Sequence, residues 1–183
     1  MSTRKTVLIA STVAGLALAA GLALSHDDRY EDWYERLARD VAPVSNAAYA
    51  EECGSCHFAY PPGLLPASSW QRIMDGLADH FGDNAELMPE TAAPISAYLQ
   101  ADAADRVLQG RPGFARTLAG QAPLRITETP YFRAEHRELP RRLVEDNPEV
   151  VSLARCPACH ETAARGRFDD DAVRIPGFGR WED

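Results

Sequence analysis

Cys53-Gly54-Ser55-Cys56-His57 and Cys156-Pro157-Ala158-Cys159-His160 are the two stretches from which the rest of this chain can be read. Each sets two thiols two residues apart and puts a histidine directly after the second. Cys-x-x-Cys-His is the pattern of c-type haem attachment. The two sulfurs form thioethers to the vinyl groups of one haem, and the histidine then falls beneath the iron as its proximal ligand. The expected cofactors are therefore two covalently attached haem c groups, on Cys53 with Cys56 and on Cys156 with Cys159, with His57 and His160 as iron ligands. Other uses of four cysteines fit less well. A thioredoxin-like pair needs a βαβ setting, and no strand pattern precedes either pair. Zinc fingers place their histidines farther from the cysteines. Two disulfides would not call for a histidine after each pair.

A haem iron has a second axial position, and the donors left to fill it are His26, His80, His136, Met74 and Met88. His26 stands at the start of the expected mature chain, where order is weakest. Trp70, Ile73, Leu77 and His80 recur at helical spacing, which predicts an imidazole on the buried face of a helix running from Ser68 or Ser69 to about Phe81. Met88 competes with His80 for the first iron, while Met74 reads as core filling. His136 is the only donor between the expected linker and the second motif, and it is expected to ligate the second iron. His80 follows His57, whereas His136 precedes His160, so the halves are not a simple tandem repeat, and ligation crossed between them stays open. Arg72, Arg165 and Arg174 are candidates for the haem propionates. No catalytic residue is expected, and the chain reads as an electron carrier and not an enzyme. The rival readings are a haem enzyme or gas-binding protein with one open distal site, and a dihaem subunit of a larger reductase.

Outside the motifs, a basic start (Arg4, Lys5), the uncharged apolar run Val7–Leu24 and the small residues Ala23 and Ser25 predict a signal peptide over 1–25. An uncleaved N-terminal anchor is the alternative. Either way the rest of the chain is expected in the periplasm. The net charge is −8, and loss of 1–25 removes two positive charges and no negative one, leaving −10. An acidic chain argues against nucleic-acid binding and suits docking to a basic redox partner. No small-molecule substrate is expected.

Helices are predicted over Asp28–Val41, from Asn46 into Cys53, from Thr91 to about Ala104, from Thr129-Pro130 through His136, and over Glu149–Arg155. Tyr60-Pro61-Pro62-Gly63-Leu64-Leu65-Pro66 must be a fixed loop. The fold class is mainly α, in two small haem-binding lobes of cytochrome c type with extensive irregular loops: 26–108, a linker over 109–124, and 125–183.

Several stretches together are similar to a known family. They are Glu52 to His57, Ala59 to Pro66, Ser69-Trp70, Asp79-His80-Phe81-Gly82, Ile126 to Phe132, Glu135-His136 and Val173 to Pro176. They resemble the bacterial dihaem cytochrome c family, across essentially all of 48–176. The resemblance implies a periplasmic, low-potential electron carrier with two low-spin, bis-histidine haems, in which His80 and His136 are the remaining ligands. It also implies a redox partner, either a small oxygen-binding monohaem cytochrome or a component of a membrane electron-transfer chain.

Overall fold

The computed structural model describes residues 41–106, 118 and 120–181. The expected signal segment, the Asp28–Val41 helix except its last residue, and most of the 109–124 linker lie outside these residues. None of the described helices is long and apolar enough to cross a membrane.

Among the described residues, the first half is built on three helices. In α1 (Ala47–Glu52), the Asn46 side chain caps the start by accepting from the Tyr49 amide, and Cys53 closes the end. The proline-rich loop follows. Within it Pro62–Leu64 make one 3-10 turn, and Pro61 to Leu65 are buried. Prolines leave this loop few backbone donors to satisfy, and the core supplies bonds to its carbonyls. Trp70 Nε1 donates to Pro62 O at 2.7 Å, the Tyr49 hydroxyl to Tyr60 O at 2.8 Å, and Ala104 N to Leu65 O at 2.9 Å. Then come α2 (Ala67–Asp75) and α3 (Pro89–Ala101), which pack on each other around Tyr49, Leu65, Trp70, Ile95 and Leu99.

Several boundaries here differ from expectation: α3 starts at Pro89 and ends at Ala101, where Thr91 to about Ala104 is expected. Ser68 and Ser69 lie inside α2 and do not cap it; Pro66 stands at the cap position. The apolar stripe that would have carried the helix to Phe81 is cut at Gly76, which ends α2. A 3-10 turn over Leu77–Asp79 delivers the chain to His80. His80 therefore sits on a turn, not on a helix face.

The second half is more irregular. In α4 (Pro130–Glu135), Pro130 occupies the first turn and Thr129 caps it, its Oγ1 accepting from Phe132 N at 3.2 Å; His136 ends it. The helix expected over Glu149–Arg155 does not form. The Asn147 side chain accepts from Glu149 N and donates to Pro176 O, winding the chain about itself. Val151 then stands at φ 69°, where no right-handed helix can continue. Single 3-10 turns cover Arg141–Leu143, Cys156–Ala158, Ala163–Arg165 and Asp170–Ala172. The described strands are two residues each, β1 (Arg174–Ile175) and β2 (Gly179–Arg180), paired antiparallel. Leu143, Val144, Val150 and Ile175 form the second core. The chain is mainly helical with long irregular loops, as its sequence predicts.

Candidate functional site

Cys53 ends α1, and Cys56 and His57 follow it in the next turns. In the second motif, Cys156 opens a 3-10 turn that Cys159 closes. All four sulfurs are unpaired, as thioether formation requires. Burial raises the thiols of Cys53 and Cys156, each to about 11.

Each motif histidine faces one of the histidines picked from the sequence. His57 and His80 lie with ring centroids 6.1 Å apart and planes 16° from parallel. His136 and His160 lie 6.2 Å apart, with planes at 67°. An imidazole nitrogen binds a first-row metal at about 2.0–2.1 Å, and a ring centroid lies roughly 1.1 Å behind its nitrogen. Two imidazoles on opposite sides of one metal therefore have centroids about 6.2–6.4 Å apart. Both pairs have the spacing of an axial pair. Each pairing is within its own half of the chain and not crossed between halves. Met88, the alternative donor for the first iron, is 65% exposed at the foot of α3.

Each ring has an aromatic neighbour packed against it. Tyr60 lies against His57 at 5.2 Å, Phe81 against His80 at 4.8 Å, and Phe168 against His160 at 5.5 Å. Phe132 stacks on His136 at 3.9 Å and 9°. Backbone carbonyls fix two tautomers. His57 Nδ1 bonds Phe58 O at 2.8 Å and His136 Nδ1 bonds Phe132 O at 2.9 Å. A carbonyl has no hydrogen to give, so each Nδ1 is the donor and each Nε2 keeps its lone pair for a metal. His80 is positioned by a two-residue hairpin turn in which His80 and Asp83 exchange both backbone bonds, with Phe81 at φ 59° and Gly82 at φ 104°. Both partner histidines are held below the ordinary imidazole range. Burial is the main cause for each. For His80, the neighbouring His57 and Arg125 add to it; for His136, the Phe132 carbonyl, Glu135 and Asp170 oppose it. Neutral imidazoles are the form that binds iron.

The surroundings suit a porphyrin. A cleft of about 1170 Å3, counted with its open mouth, holds Cys156, Cys159, His160 and His136, and its walls are mostly apolar, among them Leu143, Val150 and Ile175. Leu64 and Ile126 also line it. The first site is shallower, with His57 exposed and His80 half-buried.

Residues 49–168 match the family model described as dihaem cytochrome c. The chain belongs to the dihaem cytochrome c family. Solved structures agree. The chain is similar to the dihaem cytochrome type c of Shewanella baltica OS155, at 47% identity and a TM-score of 0.63, over 75% of this chain and 98% of that one. It is also similar to the dihaem cytochrome c of Rhodobacter sphaeroides, at 39% identity and 0.60, over 70% and 100%. No curated protein matches. As a dihaem cytochrome c, the protein is an electron-transfer haem protein carrying two covalently attached c-type haems, and its two cysteine pairs fit their attachment.

Two residues beside the first haem site of this dihaem cytochrome c escaped the sequence reading. Arg125 places its guanidinium 4.0 Å over the Phe81 ring, next to His80. Tyr60 joins His57 to a segment of chain 94 residues away. Neither carries a local signal, because each has a partner distant in sequence, Phe81 for Arg125 and Ala154 for Tyr60. Of the arginines suggested for propionates, Arg72 donates to Ala122 O at 2.7 Å.

Proposed function

We propose that this dihaem cytochrome c is a periplasmic electron carrier in which each iron is closed by two histidines, His57 with His80 and His160 with His136. It exchanges electrons with a redox protein, either a small oxygen-binding monohaem cytochrome or a component of a membrane electron-transfer chain. The observation that carries this reading is the spacing of the two imidazole pairs, 6.1 and 6.2 Å. Each half of the chain, 26–108 and 125–183, serves its own haem, with 109–124 as the connection.

The haems supply two one-electron ferric–ferrous couples. The chain does the rest. Nδ1–H bonds to Phe58 and Phe132 carbonyls orient two of the imidazoles. An aromatic ring packed against each of the four limits its movement. Two imidazoles favour ferric iron more than a methionine–histidine pair does, so both potentials are low. With no open coordination position, electron exchange at the haem edges is the remaining chemistry. The uncharged run Val7–Leu24 after Arg4 and Lys5 supports export. The negative net charge suits a basic partner.

Carbon monoxide tests the reading directly. The dithionite-reduced protein is expected to keep its low-spin visible bands under carbon monoxide. A band shift amounting to one haem would mean an open iron and would favour a gas-binding or catalytic role.

A further inference from the structure

We infer that Tyr60 is the coupling residue between the two haem sites, linking the His57 imidazole on one side to the Cys156 sulfur on the other. It rests on the ligation proposed above only through His57.

The Tyr60 ring lies 5.2 Å from the His57 ring at 32°. Its hydroxyl donates to Ala154 O at 2.8 Å. The same carbonyl lies 3.7 Å from Cys156 Sγ. In the thioether form that sulfur has no hydrogen to donate, and the close approach is what remains. One side chain thus spans from the proximal ligand of the first haem to the backbone beside an attachment sulfur of the second. Electron tunnelling decays less steeply through bonds, conjugated rings and hydrogen bonds than through gaps, and here a conjugated ring and a hydrogen bond leave only two short non-bonded contacts, at His57 and at Cys156 Sγ.

The position is held from several directions. The Tyr49 hydroxyl donates to Tyr60 O, Phe58 meets the Tyr60 ring edge-on at 5.5 Å, and Pro61 and Pro62 stiffen the next two residues. The step is one electron leaving the ferrous iron of one haem while the ferric iron of the other gains it. Tyr60 is neither oxidised nor deprotonated, and no co-reactant is needed.

Tyr60→Phe in the holoprotein keeps the ring and its volume and removes the hydroxyl bond. Tyr98→Phe is the control, because it also removes one hydroxyl bond, from Ser45 N, that is no part of the Tyr60 route. Exchange between the haems is read from exchange cross-peaks of haem methyl resonances in half-reduced samples. Rates are corrected for any change in the gap between the two potentials. Y60F is expected to slow exchange at least several-fold and Y98F to leave it unchanged. Exchange in Y60F as fast as in the unmodified protein overturns the proposal, whatever happens to its melting temperature. Equal slowing in both variants also overturns it, since loss of any hydroxyl bond would then suffice. The carbon monoxide spectrum of the unmodified protein tests whether the irons are closed and not how fast they exchange electrons, so the two failures are read separately.

Discussion

A histidine binds iron only through a nitrogen that has kept its lone pair, and at His57 and His136 a backbone carbonyl decides which nitrogen that is. At His136 the decision falls to one residue twice over. Phe132 takes the Nδ1 hydrogen with its carbonyl and covers the ring with its own. Replacing His136 by Ala is expected to leave one haem high-spin and open to carbon monoxide, with the other unchanged. Two altered haems, or none, would contradict the pairing with His160. Single residues were also where the sequence spoke most plainly. Cys-x-x-Cys-His is a chemical requirement compressed into five positions, so it is legible without any fold. Tyr60 is the opposite case. Its partners are His57, which is near in sequence, and Ala154, which is not, and only the folded chain brings the second within reach.

Short elements aim these residues, and their ends matter more than their middles. The Thr129 hydroxyl is buried, accepts from Phe132 N and donates to Ile126 O at 2.8 Å. It starts the six-residue α4, at whose other end His136 stands. Thr129→Ala is expected to cost about 1 kcal/mol, a fall of about 2–4 °C in melting temperature for a chain of this size. The same variant should broaden or shift the resonances of the second haem only; a change at the first haem would show the effect is not local to α4. Elements were read from sequence with uneven success for a physical reason. Asn46, Thr129 and Pro130 are caps that act on adjacent residues, and the helices they start are where their sequence puts them. The Trp70–His80 stripe has helical spacing, yet Gly76 interrupts it, and turn chemistry at Phe81-Gly82 places the imidazole instead. The Glu149–Arg155 segment was lost to side-chain bonding at Asn147, whose partner Pro176 lies far along the chain.

At the scale of the whole molecule the two haem sites are unlike. One has nearly parallel imidazole planes beside an exposed His57; the other has crossed planes over an apolar cleft. The angle between axial planes sets the splitting of the iron d orbitals. The ferric protein is therefore expected to give two different low-spin paramagnetic signals, one rhombic and one highly anisotropic, and two signals of one type would refute this difference between the pairs. A ferric haem carries one more positive charge than a ferrous one, and an apolar setting disfavours that charge. The anisotropic signal, from the cleft, should accordingly disappear first as a redox titration is taken to lower potential. The cleft also bears on folding. Among the described residues the second core has four buried members, Leu143, Val144, Val150 and Ile175, and much of its chain is in single turns. A covalently tethered porphyrin supplies the apolar bulk that so small a core lacks. Cys156→Ala with Cys159→Ala is expected to abolish amide-exchange protection over 125–181 while 41–106 keep theirs. Retained protection across both stretches would show that the second half folds without its haem. Leu64 lends one side of its body to that cleft, although it belongs to a loop braced by Trp70 in the opposite half. One wall of the second pocket is therefore fixed by packing in the first half, so loosening Trp70 would be felt at both ends of the chain.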